Sequence, residues 1–165
     1  GWQEEVAEVT VTGGDIHTKK ECVLVKSHNI IVDLCDVNIS SDSGILVHSI
    51  VNDDPCATKV TKEAYGVNVI LTDMDVNGDL LHEDTTREMW VMLNSTQLTG
   101  AISHANLAFD KGSKWTATAD SDVVFVTDVE PAQIDTPAGV TITAHGAKAG
   151  VFDLASGGKL IVTVE

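Results

Sequence analysis

The strongest constraint on the fold of this chain is a self-match. Val69-x-Leu71-x-x-Met74-x-Val76-x-Gly78-x-Leu80 superposes on Val91-x-Leu93-x-x-Thr96-x-Leu98-x-Gly100-x-Ile102 with an offset of 22 residues. Val32-x-Leu34-x-x-Val37-x-Ile39 and Val9-x-Val11-x-x-Gly14-x-Ile16 fit the first part of the same template, and a weaker copy begins at Leu107-x-Phe109. Within each copy apolar side chains recur at every second position, the period of a strand with one buried face. Val, Ile and Thr dominate these runs, and β-branched side chains suit a pleated surface. Short-strand units repeated at this length point to a β-solenoid, in which no unit buries its apolar face alone.

In a solenoid, equivalent residues stack at the inter-strand spacing of about 4.8 Å. One interior column would then hold Val9, Val32, Val69, Val91 and Leu107, and a second Ile16, Ile39, Val76 and Leu98, on neighbouring faces separated by a bend. Val123–Val126, Val140–Thr143 and Leu160–Val164 look related. Roughly seven or eight coils would make a rod of about 35 Å. Val32 and Val69 lie 37 residues apart, an excess that falls in a polar stretch at 52–66 (NDDPCATKVTKEAYG). This reads as a loop insertion, tolerated because the stack above and below is unaffected. The expected organisation is a single domain over 1–165, capped by Trp2 with Gln3-Glu4-Glu5 at one end. At the other, Pro131 and Pro137 interrupt the pattern, and Leu160–Val164 either caps the rod or offers a strand edge to a neighbour. The alternative is an antiparallel β-sandwich. Its hairpins call for Asn-Gly or Asp-Gly turns; only Asn77-Gly78 qualifies, and that glycine recurs at Gly100, so it reads as a bend of the repeat.

Composition narrows the function classes. A chain of 165 residues with 43% hydrophobic residues can bury the core of one domain. No run approaches the length of a membrane-spanning helix. Against 25 acidic residues stand 10 basic ones, a formal charge of −15, which repels phosphate backbones and anionic membranes. Nucleic acid is therefore not an expected partner. At 4% aromatic residues, an extended stacking platform is not expected either. Cys22, Cys35 and Cys56 are too few for a disulfide scaffold and form no CxxC pair; one bridge plus a thiol, or three reduced thiols, both fit. The chain opens Gly1-Trp2-Gln3-Glu4-Glu5 without Met, basic n-region or apolar h-region, as a processed or excerpted chain would. Asn38-Ile39-Ser40 and Asn94-Ser95-Thr96 match the glycosylation sequon, a short and common pattern.

The segments VILTDMDVNGDLL and VMLNSTQLTGAI, followed by LAFDKGSKWTATADSDV, resemble secreted bacterial right-handed parallel β-helix proteins. This is the broad group with pectate-lyase-like and autotransporter-passenger architecture. The resemblance covers about two thirds of the chain. It implies a right-handed parallel β-helix, secreted or attached to the cell surface, of the kind found in adhesin-like proteins. It does not by itself imply catalysis.

The sharpest local motif is Asp73-x-Asp75-x-Asn77-Gly78-Asp79 with Asp84 beyond it, oxygen ligands at the spacing of a calcium loop. An EF-hand needs flanking helices, however, and GVNVIL at 66–71 is extended and β-branched. The repeat accounts for the same residues without a metal: Met74 and Val76 point inward, so Asp73, Asp75 and Asn77 point outward. One coil away lie Asp36, Asn38 and Ser40 on one side, and Ser95, Gln97 and Thr99 on the other. Asp36, Asn38, Asp73, Asp75, Asn77 and Gln97 are thus the candidate ligand-binding face, suited to glycan hydroxyls or cations. Asp73, Asp75, Asn77, Asp79 and Asp84 are the candidate calcium ligands. His82 and His104 occupy equivalent repeat positions and would form a zinc pair only with a third ligand such as Glu83 or Asp84. The other four histidines show no ligand spacing.

Catalysis on this architecture would mean polysaccharide cleavage. The resemblance assigns a lyase's base to Arg or Lys, and Arg87 is the single arginine. A hydrolase needs a carboxylate pair; Asp73 and Asp75 would stand about 6–7 Å apart on an open face with nothing to part their pKa values. No GxSxG or HExxH is present. The expectation is a non-catalytic extracellular module, a spacer or adhesive surface for a glycan or a host or cell-surface protein. The alternative is a carbohydrate-active domain that binds or cleaves an acidic polysaccharide with calcium. End-to-end self-association through Leu160–Val164 is a third.

Overall fold

The computed structural model describes residues 5–54 and 65–164. Among them the chain is all-β, with no α-helix and one 3-10 turn at Pro131–Gln133. Its strands, numbered β1–β18 in chain order, pair almost entirely in parallel. The longest ladder takes β1 (Ala7–Thr12), β4 (Ile30–Cys35), β7 (Val67–Thr72), β10 (Met89–Asn94), β12 (Ile102–Phe109), β14 (Ser121–Phe125), β16 (Thr141–His145) and β18 (Lys159–Thr163). A second, after the first bend, comprises β2 (Asp15–Thr18) with β5 (Asn38–Ser41), then β8 (Asp75–Asn77), β11 (Gln97–Thr99), β13 (Lys114–Thr116) and β15 (Ile134–Asp135). A third runs through β3 (Val23–Lys26), β6 (Ile45–Ile50) and β9 (Asp79–His82) into the start of β12. β12 therefore continues two ladders at once, bending at His104, whose φ is 56°.

The register follows the sequence repeat. Val9 pairs with Val32, Val32 with Val69, Val69 with Val91 and Val91 with Leu107. Ile16 pairs with Ile39, and Val76 with Leu98, which continues to Trp115 and Ile134. β5 and β8 are neighbours but share no ladder, so the second column is interrupted between Ile39 and Val76. A third column, Val23, Val47, Leu80 and Ile102, lines the remaining side. Apart from the terminal members these side chains are buried, and the Trp115 indole donates to the Gly100 carbonyl at 2.8 Å. The expected inward position of Val9 is not a buried one: at the open end of its column it stays 42% exposed.

The first four bends between the first and second ladders each turn through positive φ. Gly13, Asp36, Asp73 and Ser95 follow register-paired strand ends and take φ of 71°, 53°, 52° and 46°. The recurring glycine of the repeat has another cause. A Cβ at Gly100 would sit 2.0 Å from the Gly78 carbonyl oxygen, so the backbones approach too closely there for any side chain.

Three expectations are corrected. The pairing is parallel, so the chain is not an antiparallel sandwich; the exceptions are β18 with β17 (Gly150–Asp153) and an isolated bridge, Pro137 to Gly157. Leu160–Val164 does not present a free edge, because β18 lies between β16 and β17. His82 and His104 do not form a stacked pair: His82 is buried, while the bend at residue 104 turns its ring out to solvent. Residues 51–54 are irregular, and strand resumes at Val67. Most of the expected 52–66 insertion, Cys56 and the Trp2 cap lie outside the described residues; Cys22 and Cys35 carry free thiols.

Candidate functional site

Of the residues expected to form a ligand face, the structure brings some onto one outward row. Asp73, Asp75 and Asn77 are exposed while Met74 and Val76 are buried, and Asp75 and Asn77 register with Gln97 and Thr99. Asp36 stands beside Asp73 at the bend, its N–H donating to the Thr72 carbonyl at 3.0 Å. Asn38 turns the other way, toward Asp15, to which its Nδ2 donates at 2.7 Å. Gln97 Nε2 donates to the Gly112 carbonyl at 3.1 Å. The face is open and flat. Of the remaining calcium candidates, Asp79 Oδ1 accepts from the Ala101 amide at 2.8 Å, and Asp84 is buried beyond β9, away from the β8 face. No group of three or more His, Cys, Asp or Glu side chains stands close enough to hold a metal among the described residues.

A cleft of about 680 Å³ lies elsewhere, where the segment joining β9 to β10 overhangs the outer face of β12, β14 and β16. Its floor presents His104, Asn106, Asp122, Val124, Thr143 and His145; its wall is residues 82–88. The wall is held by a buried polar network. Arg87 Nε donates to Asn29 Oδ1 at 3.0 Å, and the same oxygen accepts from the Gly66 amide at 3.2 Å. Arg87 Nη1 donates to Thr86 Oγ1, and Thr86 donates through both its amide and its hydroxyl to Asp84 Oδ1, at 2.8 and 2.5 Å. The charges of Arg87 and Asp84 thus balance through one threonine, in a place where either alone would be costly. The Glu88 carbonyl accepts from the Val67 amide, and a Cβ at Gly66 would lie 2.2 Å from that oxygen, so this position must be glycine.

His82 completes the network. Its Nε2 lies 2.8 Å from the Arg87 carbonyl; a carbonyl only accepts, which assigns the hydrogen to Nε2 and, in the neutral ring, leaves Nδ1 a lone pair. Among the described residues that Nδ1 has no hydrogen-bond partner, nor have Asp84 Oδ2 and Ser49 Oγ, and all three are buried. Ser49 and His82 are register partners, so these atoms collect in one corner of the stack. Buried polar groups are normally satisfied, by protein or by ordered water, so three exceptions together set this corner apart.

Around the rim the side chains are oriented by partners. His104 Nδ1 meets Asp122 Oδ2 at 2.6 Å, His48 Nε2 meets Glu83 Oε2 at 2.9 Å, and His145 Nδ1 meets Thr163 Oγ1 at 2.9 Å. Trp90, 37% exposed, registers with Asn106 of the floor and with Asn68 on its other side. The sequence points to His82 with His104 and Glu83 or Asp84 as a zinc set, and to Arg87 alone, but not to the cleft. The missing signal was Asn29, a polar residue just before an apolar strand, whose role depends on a contact 58 residues away. Comparison with protein-family models, curated proteins and solved structures finds no match to this chain.

Proposed function

We propose that this chain is a right-handed parallel β-helix module, secreted or at the cell surface, that binds a hydroxyl-rich ligand of the glycan class in the corner cleft without cleaving it. The observation that carries the reading is the coincidence of the cleft with unpartnered buried groups on its wall. His82 Nδ1 and Asp84 Oδ2 are both acceptors, and sugar hydroxyls are donors. Trp90 beside the floor adds an apolar face, which sugar rings match with their C–H surfaces. The parallel in-register ladders support the β-helix, and the repeat's resemblance supports the extracellular setting. Binding is favoured over hydrolysis because Glu83 and Asp122 are engaged by His48 and His104 and the free oxygen of Asp84 is buried, which leaves Glu88 as the one cleft carboxylate both exposed and unengaged among the described residues. An acid and base facing one glycosidic bond need to be free for it.

A second reading, an acidic-polysaccharide domain using calcium, draws on the oxygen-rich row Asp73, Asp75 and Asn77 with Gln97 alongside. Calorimetric titration with neutral oligosaccharides and with polygalacturonate, each with and without calcium, separates the two. The first reading expects calcium-independent binding that weakens at least tenfold in Asp84→Asn and Trp90→Ala. Heat only with calcium, abolished by Asp75→Asn, would establish the second instead. Release of reducing ends or unsaturated products would exclude the non-catalytic role.

A further inference from the structure

The hydrogen bonds around the corner cleft fix which of its groups accept and which donate. His104 Nδ1 meets a carboxylate oxygen of Asp122 at 2.6 Å. An ionised carboxylate only accepts, so the ring hydrogen sits on Nδ1 and, in the neutral ring, Nε2 carries a lone pair. The Thr163 hydroxyl donates to the Ala144 carbonyl at 3.4 Å and so accepts from His145 Nδ1, which leaves His145 Nε2 in the same state. Asn106 Nδ2 donates to the Met89 carbonyl at 3.3 Å, so the atom it has left over is Oδ1. On the wall, the buried and unpartnered His82 Nδ1 and Asp84 Oδ2 are acceptors as well.

Charge points the same way. Glu83, Asp84, Glu88 and Asp122 line the cleft against a single guanidinium, Arg87, which is buried with Nε and Nη1 donating to Asn29 and Thr86. Glu88 is exposed, and its carboxylate has no partner among the described residues. The exposed side-chain donors of the lining are the hydroxyls of Thr85 and Thr143, and a hydroxyl accepts as readily as it donates. The complement of such a lining is cationic and rich in donors. A neutral sugar offers hydroxyls that do both, and a uronate adds acceptors of the wrong sign. An ammonium only donates, and it carries the charge that Glu88 lacks a partner for. Resting on the glycan reading of this cleft, we propose that the ligand it selects is an amino sugar with a free ammonium, which pairs with Glu88 and donates to the acceptors of the floor. Trp90, in register beside Asn106, presents a π face that a cation also favours. N-acetylation would remove the charge and add a carbonyl acceptor, the opposite of what the lining matches.

Calorimetric titration of the full chain at neutral pH with length-matched β-linked oligomers of glucosamine, N-acetylglucosamine and glucose tests this. The glucosamine oligomer should bind at least tenfold more tightly than either of the others, the scale of one charge-assisted hydrogen bond, and the advantage should shrink as salt is added. Glu88→Gln should abolish that advantage and leave the affinity for the other two unchanged. The fold keeps its contact there, because the bond Glu88 makes to Val67 is through its backbone carbonyl. Asp128→Asn removes the same charge from an exposed position outside the cleft and should leave the advantage intact, which separates a site from general attraction to a chain of −15. Equal affinity for the three oligomers, weakened in each case by Trp90→Ala, would overturn the amino-sugar selection and leave the glycan reading standing. Binding of none of them would overturn both. An advantage lost equally in Glu88→Gln and Asp128→Asn would be general charge attraction and would also overturn the proposal.

Discussion

At the residue scale, two positions show how the repeat constrains its own chemistry. A Cβ at Gly100 would lie 2.0 Å from the Gly78 carbonyl oxygen, and that oxygen is backbone, fixed by its own unit. Gly100→Ala should therefore destabilise the chain by about 3 kcal/mol or more, the range of overpacked cores. Gly78→Ala, whose Cβ would meet Leu46 Cβ at 2.9 Å and its backbone N at 3.2 Å, should cost less because the overlap is smaller. Thermal melts of the two variants measure the difference. Asp73 is the opposite case: a non-glycine at φ 52° beside Asp36 at φ 53°, two carboxylates in successive bends. Asp73→Gly should stabilise by about 0.5–1 kcal/mol, the relief of the left-handed conformation less the entropy glycine loses on folding. A urea midpoint below that of the wild type would contradict it. Gly13 at the same station shows that the repeat accepts glycine there.

At the element scale, the segment joining β9 to β10 is held on Arg87, and Arg87 on Asn29. Asn29→Ala removes the acceptor from a buried guanidinium and from the Gly66 amide together, and should cost about 3 kcal/mol. Asn29→Asp, which restores an acceptor, should recover most of it; urea titration of both variants reads this. This element also shows where sequence reading stops. The strands were legible because period-two alternation and a 22-residue offset are local and repetitive: Val69, Val91 and Leu107 could be aligned before any coordinates. The outward row at Asp73, Asp75 and Asn77 followed from the same alternation. The bend at His104 did not, because there two ladders merge into one strand and the period breaks. The wall of the cleft was illegible for a similar reason: Asn29, Gly66, His82 and Arg87 meet through single contacts that no periodicity announces.

At the scale of the whole molecule, acidity acts in two directions. Lowering the pH from neutrality discharges a chain of −15 and relieves its self-repulsion. Against this stand two aspartates at bends. The Ser113 hydroxyl, with backbone N–H groups of Ser95 and Gly112, holds Asp110 below its ordinary pKa despite some desolvation. The Ser156 hydroxyl and the Ser156 and Thr136 amides do the same for Asp135. A carboxylate whose folded pKa is depressed stabilises the fold above its unfolded value and loses that contribution as pH falls through the folded one. Stability should therefore hold or rise on mild acidification and drop below about pH 3.9. Urea midpoints across pH should show that limb, and the double substitution Asp110→Asn with Asp135→Asn should make it shallower while lowering stability at neutrality.

The hairpin of β17 and β18 also fixes a direction of failure. In a stack where each strand leans on its neighbours, unzipping starts at the less fastened end, and among the described residues that is the end bearing Val9. The cleft sits over β12, β14 and β16, near the fastened terminus. A molecule that has lost its first strands to heat, a protease or mechanical pull would still carry its binding surface, and β4 would become the new frontier.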